Sequence, residues 1–254
     1  MKDTNTITVY WAPSHFAVDD SSWSLLYAEP ISLSSFSRSL KSTYKDGVHR
    51  CPAFNDGLNN TFLFKSNIDD TAEFSSGLLK GIHSNPNNNY PMIFSTSSHV
   101  SVHSYRNSSF NDHVNVEYNM GWLLFADEPV VAKFTAPYFP AIAPAEGAML
   151  ATGEFDIGTW YRPYVLDYHI PVDTQRLVFK ENDPLFYVEF KTDKKVILKR
   201  YLLTSTLKNL ETEVSASHFR YGSFKNLTQR YAQFKRANLR SQILTEIKKN
   251  LVED

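Results

Sequence analysis

One cysteine, Cys51, is all that the 254 residues carry. A single thiol excludes an intramolecular disulfide, and with it the class of small secreted domains held together by such bridges. The opening stretch, MKDTNTITVYWAP, lacks the apolar segment of a secretory leader. No run approaches the roughly 20 apolar residues that a membrane-spanning helix needs. These absences lead to the expectation of a soluble protein without a membrane partner, cytoplasmic, and resident in the host cytoplasm if viral. Internal repeats and low-complexity tracts are also missing. The stretch nearest to a phosphate loop, Asn55-Asp56-Gly57, lacks the spaced glycines and the lysine of that motif. There is no His-Glu-x-x-His zinc motif, and no His-x-Asp or His-x-Glu pair to begin the ligand set of an iron oxygenase.

Aromatic bulk is plentiful: eighteen Phe, fourteen Tyr and four Trp. Aromatic side chains favour strands and fill cores, so the expected fold is mainly β (sandwich, distorted barrel or β-clip-like) with a C-terminal helical region packed on it. The strand signal is densest in residues 153–190. There an apolar run at 164–170, a strand at 176–179 and a strand at 185–190 are separated by turns at 171–174 and at Glu181-Asn182-Asp183-Pro184. Other strands are expected at 6–11, 23–27, 59–65, 92–95, 114–118 and 196–203. Residues 121–125 and 130–134 flank Asp127-Glu128-Pro129 and read as the best hairpin. Residues 66–90 show little period and read as a loop-rich insertion in a β-rich core spanning 1–203.

Helices are expected where apolar residues recur at three and four positions. Leu33, Phe36 and Leu40 mark one at 32–44, a second begins within 202–210, and the last covers 224–251. In the last helix the apolar stripe shifts near Ala237, which fits packing on a globular surface better than a straight coil. The region 204–254, helical and basic, belongs to the same domain as the core. Charge is divided unevenly along the chain. Residues 1–190 hold 12 Lys and Arg against 21 Asp and Glu, while 191–254 hold 14 against 6. The balances of −9 and +8 leave two readings open. The basic end either faces a polyanion such as nucleic acid or docks on the chain's own acidic body.

Four groups of residues are candidates for chemistry. Asp156, Trp160, Tyr161 and Arg162 lie between Gly153, Gly158 and Pro163, where Arg donors and aromatic faces could hold a planar or anionic ligand. The alternative is a tight turn whose Trp plugs the core. His99, His103 and His113, with Asp112, could bind Fe or Zn, or could be loop histidines. Asp167 and His169 share a strand face and could pair for proton transfer, or complete a metal site with the distant His218, or be the solvated face of a half-buried strand. Cys51 has His49 two residues away, a nucleophile and base in sequence proximity, against the alternative of a buried structural thiol.

Several segments carry a resemblance. RCPAFNDGLNNTFLFK (50–65), NMGWLLFADEPVVAKFTAPYF (119–139), GEFDIGTWYRPY (153–164) and DPLFYVEFKTDKK (183–195) resemble an uncharacterised protein family of T4-like phages and cyanophages. That family has no assigned activity, so the resemblance implies a viral origin and no mechanism. Gly153, Phe155, Asp156 and Trp160, with Asp183 before the strand at 185–190, are also similar to the β-clip arrangement of dUTPase-like proteins. The nucleotide-binding motifs of those proteins are missing from this chain. The functional expectation is a non-enzymatic phage accessory or structural protein that binds a protein partner, itself or a small ligand, and needs no cofactor. The alternative is a small-molecule enzyme, either a metal-dependent oxygenase or a nucleotide-handling β-clip protein.

Overall fold

A computed structural model describes residues 5–14, 27–43, 47–84, 100–104, 112–139, 142–215 and 237–252, with Gln229, Ala232, Phe234 and Lys235. Fourteen strands and four α-helices occur among them. In chain order they are β1 (Thr6–Pro13), β2 (Ile31–Ser32), α1 (Leu33–Thr43), α2 (Pro52–Asp56), β3 (Thr61–Lys65), β4 (Asp70–Ser75), β5 (Leu78–Ser84), β6 (Val100–Ser104), β7 (His113–Ala126) and β8 (Val131–Thr135). Then follow β9 (Met149–Leu150), β10 (Gly153–Asp156), β11 (Pro163–Pro171), β12 (Arg176–Phe179), β13 (Pro184–Lys191), β14 (Lys195–Arg200), α3 (Ser205–Ser215) and α4 (Leu239–Lys249).

The strands form three sheets, mostly antiparallel. The largest has the order β14-β1-β7-β11-β9, with β6 beside β7. Its spine is β7, 14 residues long. One edge of β7 pairs with β11 from Pro171 to Pro163, and the other pairs first with β6 and then with β1. A second sheet runs β10-β8-β13-β3-β2, and a third β12-β4-β5. The result is an open sandwich, not a closed barrel, with the C-terminal helices packed on it, as the aromatic bias and the last apolar stripe led one to expect.

Alternation along β7 explains the layering. Val114, Val116, Tyr118, Met120, Trp122, Leu124 and Ala126 point into the sandwich. There they meet Phe64, Phe134, Phe186, Val188 and Phe190 of the second sheet and Ala72, Leu177 and Phe179 of the third. Trp122 lies edge-on to Phe186 at 4.9 Å and to Tyr27 at 5.2 Å. On the opposite face of β7, Leu123 and Phe125 join Tyr10, Ala12, Tyr161 and Tyr201. These bury Leu207 and Val214 of α3 and Ile243, Leu244 and Ile247 of α4. The outer face of the second sheet is covered in turn by Leu33, Phe36, Phe54 and Leu58 around Leu63 and Tyr187.

Several expectations are corrected by the sheet assignments. The three strands read in residues 164–190 all form, but β11, β12 and β13 fall in three different sheets. β7 and β8 do not make a hairpin; residues 127–130 carry the chain from one sheet to the other. Tight two-residue hairpins need positive φ, and no residue there has it. The hairpin is instead β4–β5, inside the stretch read as a loop-rich insertion. Its turn residues Ser76 and Gly77 have φ 51° and 71°, the backbone of a type I′ turn. The C-terminal helix is not continuous across its expected span: Ala237 and Asn238 form a turn, with Asn238 at φ 50°, and α4 starts at Leu239. That break sits where the apolar stripe shifts. Residues 23–26 and 92–95 lie outside the described residues. Among the described residues no helix is long and apolar enough to cross a membrane.

Asn60 ties the second sheet to the end of the first. At φ 52°, its Nδ2 donates to the Thr192 and Lys194 carbonyls at 3.0 and 2.8 Å, and its Oδ1 accepts from Val196 N–H at 3.0 Å. Asn60→Ala removes all three hydrogen bonds and is expected to cost about 2–3 kcal/mol, read as a fall in the denaturant midpoint. Gly77→Ala puts a Cβ 2.8 Å from Val114 Cγ1 in a left-handed backbone, at an expected cost of about 1–2 kcal/mol from the backbone alone. Gly153→Ala, whose Cβ meets nothing within 4 Å, is the control expected to leave the thermal midpoint unchanged.

Candidate functional site

The loop after β10 gives three of its four candidate ligand residues structural partners. Asp156 Oδ1 accepts from the N–H of Gly158 at 2.8 Å and of Val130 at 3.2 Å, and Oδ2 accepts from Thr159 Oγ1 at 3.2 Å. A side-chain oxygen that binds the backbone two residues on is a standard turn former. Gly158 is required by close approach, since a Cβ there would lie 2.7 Å from the Glu128 carbonyl oxygen. Trp160 is buried near Phe155. Tyr161 is fully buried, with its hydroxyl 3.1 Å from that of Tyr201. Burial first, then the neighbouring hydroxyl and Glu211, push the Tyr161 hydroxyl well above its ordinary pKa. Arg162 is exposed, with Cζ 5.8 Å from the centre of the Trp160 ring.

This loop is also where α4 is fastened. Arg240 Nε donates to the Gly158 carbonyl at 2.8 Å and Nη2 to the Asp127 carbonyl at 2.6 Å. On α3, Lys208 Nζ bridges Glu211 Oε2 at 2.9 Å and the Ser14 carbonyl at 3.1 Å. Lys191, Lys194 and Arg200 face Glu154, Glu128 and Glu29. Five of the fourteen basic residues after 190 are thus seen with partners in the chain. On the outer side of α4, Ser241, Gln242 and Thr245 accompany the exposed Lys248 and Lys249.

The histidine candidates divide. His99 and His218 lie outside the described residues. His113 opens β7, with Nδ1 3.0 Å from Asp112 Oδ1, and this hydrogen bond holds the exposed Asp112 carboxyl below its usual range. Backbone register brings two distant candidate groups onto one sheet face. His103 on β6 is opposite Asn115 on β7, which is opposite His169 on β11. In the adjacent row Ser101, Glu117 and Asp167 stand in line. Asn115, Glu117, Asp167 and His169 are half-buried. Asn115 and Glu117 escaped the sequence reading, although their alternation with Val114, Val116 and Tyr118 marks them as the non-core face of β7. Two carboxylates on the same face as the His169 imidazole are suited to proton transfer. Among the described residues, however, no three His, Cys, Asp or Glu side chains converge as a metal site would require. Cys51 is exposed, which corrects the expectation of a buried thiol, while His49 is buried with its ring 6.5 Å from that of Phe139.

Two concavities involve residues that sequence reasoning passed over. An open groove of about 560 Å³ lies between the β4–β5 hairpin and the β11–β12 turn. Phe74 and Val172 contribute its apolar lining, and Glu73, Lys80, Asp173 and Arg176 its charges. Arg176 Nη2 is 3.0 Å from Glu73 Oε1, and Phe74 N–H donates to the Gln175 carbonyl at 2.8 Å, fixing hairpin to turn. A much smaller internal cavity is lined by Ser66, Asp70, Tyr118 and Phe179. Asp70 is buried there and accepts a hydrogen bond from the Tyr118 hydroxyl. No family model, curated protein or solved structure matches the chain.

Arg240→Ala removes the charged donor from both loop carbonyls. The expected loss is about 2–3 kcal/mol, accompanied by faster amide exchange in α4. Arg162→Ala at the exposed end of the same loop is expected to change stability by less than about 0.5 kcal/mol.

Proposed function

We propose that the chain is a non-enzymatic accessory or structural protein that works through protein contacts, in keeping with the resemblance of its motifs to a tailed-phage family. The observation that carries this reading is the surface around the β4–β5 hairpin. Leu78 is 59% exposed beside a preformed groove. Phe74 and Val172 are the apolar part of its lining, and Glu73, Lys80, Asp173 and Arg176 add charges of both signs. An apolar centre within a polar rim is the usual anatomy of a protein–protein contact. The groove volume also falls in the range of about 300–1,000 Å³ that small ligands occupy, but the exposed Leu78 outside it favours a macromolecular partner.

A second reading, a metal-using enzyme, draws on the row of His103, Asn115, Glu117, Asp167 and His169. It implies Glu117, Asp167 and His169 as proton carriers, and Fe or Zn would need ligands beyond them, since among the described residues no three His, Cys, Asp or Glu side chains converge. One pair of measurements separates the two. Sedimentation velocity on the purified chain over a range of concentrations is expected to show self-association, and elemental analysis of protein prepared without a histidine tag is expected to show no stoichiometric metal. A strictly monomeric chain carrying about one iron or zinc would reverse the order and make Glu117→Gln and Asp167→Asn the next substitutions.

A further inference from the structure

The chain's own body takes up Lys191, Lys194, Arg200, Lys208 and Arg240 of its basic end. Lys195, Lys199, Lys248 and Lys249 are exposed, and among the described residues none of these four has an ion-pair partner. Strand and helix bring them to one side of the molecule. Val196 faces the sandwich core, so Lys195, Ile197 and Lys199 point outward, to the side that α4 covers. Register sets Lys199 beside Tyr10, and Tyr10 belongs to the apolar layer under α4 with Ile243 and Ile247. The end of α4 is tied to the end of β14. Leu202 N–H donates to the Asn250 carbonyl at 2.9 Å, and Val252 N–H to the Arg200 carbonyl at 3.1 Å. Lys248 and Lys249 therefore emerge beside the strand end that carries Lys199.

This strip consists of cations and neutral polar groups. β14, KVILKR, has no acidic residue. α4 has one, Glu246, whose carboxylate accepts from Thr204 Oγ1 at 3.1 Å. The outward side of α4 adds Ser241, Gln242 and Thr245. Asp193 before β14, and Glu253 and Asp254 after Val252, are the other acidic residues nearest in sequence. Lysines beside hydroxyl and amide groups are what nucleic-acid backbones are bound by. A bilayer would need apolar side chains to insert, and the strip offers Ile197 and Leu202, only 39% and 37% exposed. Lysines on an edge strand also turn away a strand of another protein. Neither β14 nor α4 contains an aromatic residue on which an unpaired base could stack, which favours a duplex over a single strand.

We propose that this strip binds the phosphate backbone of duplex nucleic acid without reading its sequence. Lys195 and Lys199, about 13 Å apart along the strand, meet separate phosphates, and Lys248 and Lys249 continue the contact from the helix end. The role is additional to the protein-contact reading and uses none of the residues of the β4–β5 groove.

The test is fluorescence anisotropy of a short labelled DNA duplex titrated with the full chain, from low to physiological salt. Four lysine–phosphate contacts are expected to give a slope of log affinity against log salt of about −3 to −4. Lys195→Gln with Lys199→Gln is expected to weaken binding at least about tenfold at low salt and to reduce the slope by about 2. Arg38→Gln with Lys180→Gln removes the same charge at exposed positions outside the strip and is expected to stay within about twofold of the parent. Both pairs are exposed, so circular dichroism and thermal midpoints are expected to be unchanged. Absence of binding at low salt overturns the proposal, as does an equal loss in the two double variants. Tighter binding to phosphatidylserine vesicles than to the duplex also overturns it and assigns the strip to a membrane surface.

Discussion

Trp122 packs edge-on against Phe186 and Tyr27, and its sequence neighbours Leu123 and Phe125 bury themselves on the opposite side of the same strand. A strand that is apolar on both faces has no side to give to water, so it must lie between two layers. Over its second half β7 meets this requirement with the aromatic sandwich on one face and the C-terminal helices on the other. Its first half is apolar on one face only: Val114, Val116 and Tyr118 face the core while Asn115 and Glu117 turn away. The change within one strand determines where the helices sit and where polar groups gather. Truncating a side chain as central as Trp122 would forfeit contacts in a core that cannot collapse to refill the space, an effect of about 3–5 kcal/mol for a buried aromatic.

Polar joints then hold the layers in register. Asn60, Arg240 and the Lys208–Glu211 pair each connect elements far apart in sequence, and each acts largely on backbone carbonyls or a buried carboxylate. Two of the cations after residue 190, Arg240 and Lys208, are used in them. Both donate to backbone carbonyls of the body, and hydrogen bonds to charged groups stabilise more than neutral ones. Tyr161 and Tyr201, hydroxyl to hydroxyl beneath α3, show the same preference for satisfied polar groups in an apolar layer.

Surfaces not committed to these joints are the places where a partner can act. The β4–β5 hairpin combines an exposed leucine with a groove braced by backbone hydrogen bonding, so little ordering would be required on contact. The face of β6, β7 and β11 that carries Glu117, Asp167 and His169, with His103 in register, is the other concentrated chemistry of the fold. Its members come from three strands, and only the register puts them side by side.

Much of the fold was legible in the sequence. The strands at 6–11, 59–65, 114–118 and 185–190, the helix at 32–44 and the shift near Ala237 all declare themselves through local periodicity and turn residues, because each side chain's direction follows from its place in its own strand or helix. Turn chemistry was legible too but was misread: Ser76-Gly77 supplies the positive φ that a tight hairpin needs, and Asp127-Glu128-Pro129 does not. What the sequence could determine by itself was therefore which residues share a face of their own element, and that the chain is a β-rich body with a helical end. Which strands pair, which face of β7 the helices cover, and that His103, Asn115 and His169 stand in one row were decided by tertiary structure alone. Pairing depends on contacts between segments dozens of residues apart, and a periodicity of two within each strand carries no label for its neighbour.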